Sequence, residues 1–296
     1  MEFILTTENL TKKYGDKVAA GNINIRIREG EIYGLIGRNG AGKTTIMRMI
    51  SGLSKPTSGS YTYHGDNKAG IGVLIESPGI YPKRSAFDNL KIKCIAKNCY
   101  TKEYVDGLLE TVGLADTGNK PAGSFSLGMR QRLGIALALA GDPKLIVLDE
   151  PINGLDPQGI AEIRQTLEKL RDEKGITVMI SSHILDELGK IADSYGIINQ
   201  GVLIDEFTNE ELMRRCGKYI NIVTNDNNKA LDVIRSMGID TVSITGNCVR
   251  VDEGIERAAE INRTLVNGGI DVHELHVSNI SLEDYYFSLT GGNRNE

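Results

Sequence analysis

Residues 32–44, Ile32-Tyr33-Gly34-Leu35-Ile36-Gly37-Arg38-Asn39-Gly40-Ala41-Gly42-Lys43-Thr44, decide the fold. The first five form a short apolar run followed by glycines, as expected of a strand buried on both faces. Gly37–Thr44 fits the spacing GxxxxGK[ST]. Past it, Ile46, Met49, Ile50 and Leu53 fall on one helical face, closed by Gly52 and Pro56. The order is strand, glycine loop, helix. Glycines let backbone N–H groups turn inward around phosphate oxygens, and the helix N-terminus adds the positive end of its dipole. In such a loop Lys43 reaches the β- and γ-phosphates, and the Thr44 hydroxyl is a ligand for Mg²⁺.

Working outward, residues 1–31 read as short strands broken at Gly15, Gly21 and Gly30. From about Pro82 to Ala140 the pattern turns helical, with apolar residues three and four apart in FDNLKIKCIAK, KEYVDGLLETVGL and MRQRLGIALALAG. Strands return at KLIVLDE, ITVMISSH and SYGIINQG, separated by helical GIAEIRQTLEKLRDEKG and LDELGKIAD. That alternation predicts a parallel sheet with covered faces, the helical stretch being an insertion between its parts. Thr208–Arg215 predicts one more helix with a capping box from Thr208 to Glu211. Residues 216–296 then read as a small α+β appendage.

The strand Leu145–Leu148 ends in Asp149 and Glu150. Beside a phosphate loop, an acid at the place of Asp149 meets the Mg²⁺ shell. Glu150 then lies beyond the γ-phosphate, where a carboxylate orients and deprotonates water.

Composition bounds the rest. The chain has 296 residues, 40% hydrophobic and 25% charged, ordinary globular usage. Its 34 Lys and Arg against 39 Asp and Glu give a net charge of −5, a poor start for a dedicated nucleic-acid binder. The longest apolar stretch, Leu133–Ala140, is less than half of what a bilayer needs, and the first residues do not read as a secretory signal. Cys94, Cys99, Cys216 and Cys248 form no CxxC pair and read as reduced thiols. His273 and His276 in VHELHV have the spacing HExH rather than HExxH, on a segment that alternates like a strand, which argues against a metal site.

Between the two chemistry-bearing elements lies Phe125-Ser126-Leu127-Gly128-Met129, with Ser126 as a helix N-cap. With this segment in place, residues 1–215 resemble the ATP-binding subunits of ABC transporters, whose LSGGQ loop stands here. Tyr14 in KKYGD matches the aromatic that stacks on adenine, Gly154-Leu155-Asp156-Pro157 the D-loop, and His183 in ISSHILDE the switch histidine at the γ-phosphate. Two positions depart from the family pattern. Leu127 replaces a glycine of the signature loop, while Ser126 and Gly128 are kept. Glu76 replaces the glutamine that offers a neutral carbonyl to Mg²⁺, bringing a full negative charge near the nucleotide. Glu76, the loop SLGM and the tail LEDYYFSLTGG resemble the branch of exporter ATPases linked to bacitracin resistance and lantibiotic immunity.

The resemblance implies an α/β fold: a P-loop NTPase core of mixed sheet with an antiparallel β subdomain, a helical insertion over about 82–140, and a C-terminal α+β domain over 216–296. It implies ATP bound by Tyr14, Gly37, Arg38, Asn39, Gly40, Ala41, Gly42, Lys43, Thr44 and Thr45. Ser126 and Gly128 of a second copy would close the sandwich. Mg²⁺ is expected on Thr44, Glu76 and Asp149, and Glu150 and His183 are expected to be catalytic. The expected partners are a second copy and an ABC-2-type membrane permease, without nucleic acid, at the inner face of the cell membrane. Nucleotide-dependent signalling without transport is the alternative function.

Overall fold

The structure, a computed structural model, describes residues 2–65, 70–215, 218–279 and 282–291; Cys216 lies outside them. The chain divides into two compact units, residues 1–209 and 210–296.

In the first unit, β1 (Phe3–Tyr14) is the centre of an antiparallel sheet with β2 (Lys17–Ile23), β3 (Arg26–Arg28) and, further along the chain, a strand over Ser58–Tyr63. The sequence suggests pieces of four to seven residues here, but β1 runs unbroken for 12. Two features reconcile the pattern with its length. Asn9 takes a left-handed φ of 48° between shifts of register. Thr7 is buried, and its hydroxyl donates to Ile23 O (2.9 Å) and accepts from Ile25 N (2.7 Å), bridging the gap between β2 and β3.

After β4 (Ile32–Ile36) come α1 (Lys43–Ile50), β5 (the Ser58–Tyr63 strand) and β6 (Ile71–Leu74). Three helices follow: α2 (Ala86–Ala96), α3 (Lys102–Thr111) and α4 (Leu127–Leu139). Each starts on a hydroxyl, Ser85, Thr101 or Ser126, that accepts from the amide three residues on. Then come β7 (Leu145–Leu148), α5 (Pro157–Lys174), β8 (Thr177–Ser182), α6 (Leu185–Leu188), β9 (Ser194–Asn199) and β10 (Val202–Thr208). The main sheet has six strands in the order β10-β9-β4-β8-β7-β6, antiparallel only at β10. α1 packs between this sheet and the antiparallel one: Ile46, Met47, Met49 and Ile50 share a core with Leu5, Leu10, Ile23 and Ile25 on one side and Leu35 and Val147 on the other. α4 approaches β6 closely because Gly72 and Gly134 carry no side chain; a Cβ on Gly72 would overlap the Ala138 carbonyl oxygen.

The helix expected across LDELGKIAD is a single turn. The amides of Ile191 and Ala192 fold back to Leu188 O, and Asp193 N donates to Ile32 O, so the chain is already committed to the sheet.

The second unit holds α7 (Asn209–Arg215), β11 (Lys218–Thr224), α8 (Asn227–Ser236), β12 (Val242–Thr245), β13 (Cys248–Val251), α9 (Ala258–Asn267), β14 (Val272–Asn279) and α10 (Leu282–Thr290). Asn209, the first residue of α7, is the last of the first unit. Its four strands are antiparallel in the order β12-β13-β11-β14, a split βαβ arrangement. Ile220, Ile222, Val249 and Val251 of the sheet pack with Ala230 and Ile234 of α8 and Ile261 and Leu265 of α9. His273 and His276 lie on β14, where His276 stands opposite Asn221. Cys94, Cys99 and Cys248 are free thiols.

Candidate nucleotide site

The loop from β4 to α1 needs its glycines. Gly40 and Gly42 have φ of 81° and 111°, and a side chain on Gly42 would run into Ala19 O. A side chain on Gly40 would meet nothing, so there it is the backbone conformation and not space that calls for glycine. The turn from β9 to β10 clamps the loop from behind: Gly201 N donates to Ala41 O (2.9 Å) while Gly21 N donates to Gly201 O (2.7 Å). A cleft of about 510 Å³ opens over Arg38–Thr45, walled by Val18, Glu150 and Gln200.

β7 delivers two carboxylates to this cleft with different surroundings. Asp149 is buried and accepts from Thr44 Oγ1 (2.7 Å) and Ser181 Oγ (2.6 Å). Ser181 in turn accepts from Glu150 N (2.9 Å). Glu150 has a left-handed φ of 50°, an uncommon conformation for a non-glycine residue that aims its side chain across the loop. One of its oxygens is 2.7 Å from His183 Nδ1. The other is 3.1 Å from Lys43 Nζ, an ion pair not aligned as a hydrogen bond. Lys43 is buried and donates to Gly37 O (2.6 Å), so it lies folded over the loop.

Lys43, Thr44, Asp149, Glu150 and His183 are therefore together. Tyr14 pairs with Lys17 beside the cleft wall, half-exposed, with Lys12 Nζ 5.2 Å from its ring centre. Ser126 and Gly128 stand elsewhere, in a groove of about 490 Å³ with Gly154, Leu155 and Asp156. Glu76 has its carboxylate paired with Arg48 of α1. The sequence reading missed Ser181, Arg48 and the Gln200-Gly201 turn. A hydroxyl on a fully buried strand position needs a partner, so Ser181 carried a signal; Arg48 carried none.

This arrangement can bind a nucleoside triphosphate and activate water at its end. The family model of the ABC transporter matches residues 20–153, from the cleft wall through Glu150. The bacitracin transport ATP-binding protein of Bacillus licheniformis is 42% identical over 99% of both chains. The chain belongs to the ABC transporter ATP-binding family. It is an ATPase of that family, and ATP is its nucleotide. The lantibiotic transport ATP-binding protein of Streptococcus pyogenes is 45% identical, covering 69% of this chain and 90% of its own. Among solved structures, a dimeric ATP-binding cassette with ADP and Pi superposes with a TM-score of 0.63 at 27% identity, covering 69% of this chain and 98% of its own. A cassette from Clostridium perfringens, part of an ABC transporter complex, gives a TM-score of 0.65 at 29% identity over 72% and 92%. The ATPases of this family serve membrane permeases, and no helix among the described residues is long and apolar enough to cross a membrane.

Proposed function

We propose that the chain powers export of peptide antibiotics of the bacitracin or lantibiotic kind, working as a homodimer on an ABC-2-type permease at the inner face of the cell membrane. The likeness to a bacitracin transport ATP-binding protein along the whole chain carries this reading.

The loop amides and Lys43 bind the β- and γ-phosphates, and Tyr14 stacks on the base. Glu150 takes a proton from the attacking water, while His183, already 2.7 Å from it, orients that carboxylate and steadies the γ-phosphate. Ser126 and Gly128 share no lining residue with the phosphate cleft. That separation suits a sandwich in which these residues of a second copy close on the γ-phosphate. Thr44 and Asp149 present a hydroxyl and a carboxylate 2.7 Å apart, a donor set that fits Mg²⁺. Mg²⁺ held there would neutralise charge on the phosphate oxygens. Closure then depends on ATP and opening on its hydrolysis, which drives the permease between its two states.

A strain lacking this chain should become sensitive to bacitracin or to a lantibiotic. The wild-type chain should restore growth and the Glu150→Gln variant should not. Equal growth of all three strains across both antibiotic classes would remove the export assignment and leave the ATPase chemistry standing.

A further inference from the structure

Leu74 of β6 is paired in register with Leu148 of β7. Two residues beyond this pair stand Glu76 and Glu150, and both have left-handed backbones, with φ of 63° and 50°. Paired strands lie about 4.8 Å apart, so the two residues stand at neighbouring strand ends, Glu150 in the wall of the phosphate cleft. Each is held by a cation from the same helix: Lys43 for Glu150, Arg48 for Glu76. Glu76 also sits at the centre of a three-residue turn, Ser77 N donating to Ile75 O at 2.9 Å. Such a turn around a left-handed residue is strained, and strain of this kind persists where the surroundings enforce it.

A bare carboxylate here would repel a triphosphate. Arg48 cancels that charge. The pair is well exposed, with Glu76 at 64% and Arg48 at 37%, so it can be exchanged for a stronger partner. We propose that Arg48 is a positioning residue that keeps Glu76 on α1, off the phosphate cleft, until Glu76 is drawn to the cation that accompanies the nucleotide. This rests on the ATP-binding reading of the cleft.

The test is calorimetric titration of the full chain with ATP, in EDTA and in Mg²⁺, for wild type and the variants Arg48→Ala, Arg48→Lys, Glu76→Gln and Arg48→Ala/Glu76→Gln. Arg48→Ala should weaken metal-free binding by about three- to tenfold, the scale of one charge pair near a protein surface. In Mg²⁺ its loss should shrink to about twofold or less, because the freed Glu76 then has a partner. Arg48→Lys should return the ratio of the two dissociation constants to the wild-type value, and the double variant, which has no carboxylate left to meet the cation, should show the smaller ratio of Glu76→Gln. Glu76→Gln, which leaves the loop untouched, should bind metal-free ATP more tightly than wild type and gain less from Mg²⁺; it serves even where Arg48→Ala fails to fold. An unchanged ratio in Arg48→Ala or in Glu76→Gln overturns the proposal. So does an equal change in Arg48→Ala and the double variant, since Arg48 would then act on the nucleotide directly. A wild-type chain that binds no ATP in either condition fails differently, because it takes down the nucleotide reading itself.

Discussion

At Glu150 the backbone is left-handed, the carboxylate touches both Lys43 and His183, and the amide rests on Ser181. Glu150→Gln keeps the size and one acceptor of the side chain but cannot take a proton. Turnover should fall by about 10²–10⁴-fold, as for loss of a general base, while ATP binding is kept. Single-turnover hydrolysis at the wild-type rate would remove Glu150 from the role. Lys43, Asp149, Glu150 and His183 were legible because each sits in a motif whose order along the chain is its own signal. Ser181 carried only the general signal that a buried hydroxyl needs a partner, and which partner is clear only once Asp149 is placed across from it. Glu76 was legible as a departure, but its Arg48 partner depends on how α1 faces the end of β6, which no local pattern records.

Among the elements, α4 carries Ser126 and Gly128 at its start and lies against β6 through Gly72 and Gly134. Gly72→Ala places a methyl group on the Ala138 backbone, which cannot yield as a flexible side chain would. The expected cost is about 1–3 kcal/mol, the usual range for overpacking, seen as a lower denaturation midpoint at unchanged slope. A midpoint equal to wild type would mean that α4 shifts freely against the sheet. Helix and strand alternation was readable through this region because amphipathic spacing and hydroxyl caps are local. The full length of β1 was not, because its bulge at Asn9 and its bridge through Thr7 are made by residues far along the chain. α6 was over-read for the same reason, its end being set by pairing with β4.

On the scale of the whole molecule, the α+β character of the second unit was legible, but its strand order was not, because antiparallel neighbours are chosen by distant contacts. The first unit carries acids, Glu31 buried and Glu206 half-buried, that tie its layers together. Glu206 on β10 accepts from Tyr33 Oη on β4 (2.9 Å) and from Arg26 N on β3 (3.0 Å), and burial holds its carboxyl above the usual range. Glu31 is raised by the same cause. The folded chain thus keeps protons that the unfolded chain releases near the ordinary value of 4.5, so stability falls as pH rises through the window above it. Glu206→Gln keeps an acceptor for both donors without the half-buried charge. It should raise Tm at pH 7–8, leave it unchanged near pH 4, and flatten the decline between; parallel Tm curves for the two chains would remove Glu206 as a source of the slope. Lys43 links the site to the cycle of the whole machine. One ammonium cannot fully serve both Glu150 and a phosphate, so an arriving nucleotide must take it over. With Glu150 as the proposed base, drawing Lys43 onto a phosphate would unmuzzle the carboxylate, so the fuel itself would arm its own consumption and idle firing would be guarded against.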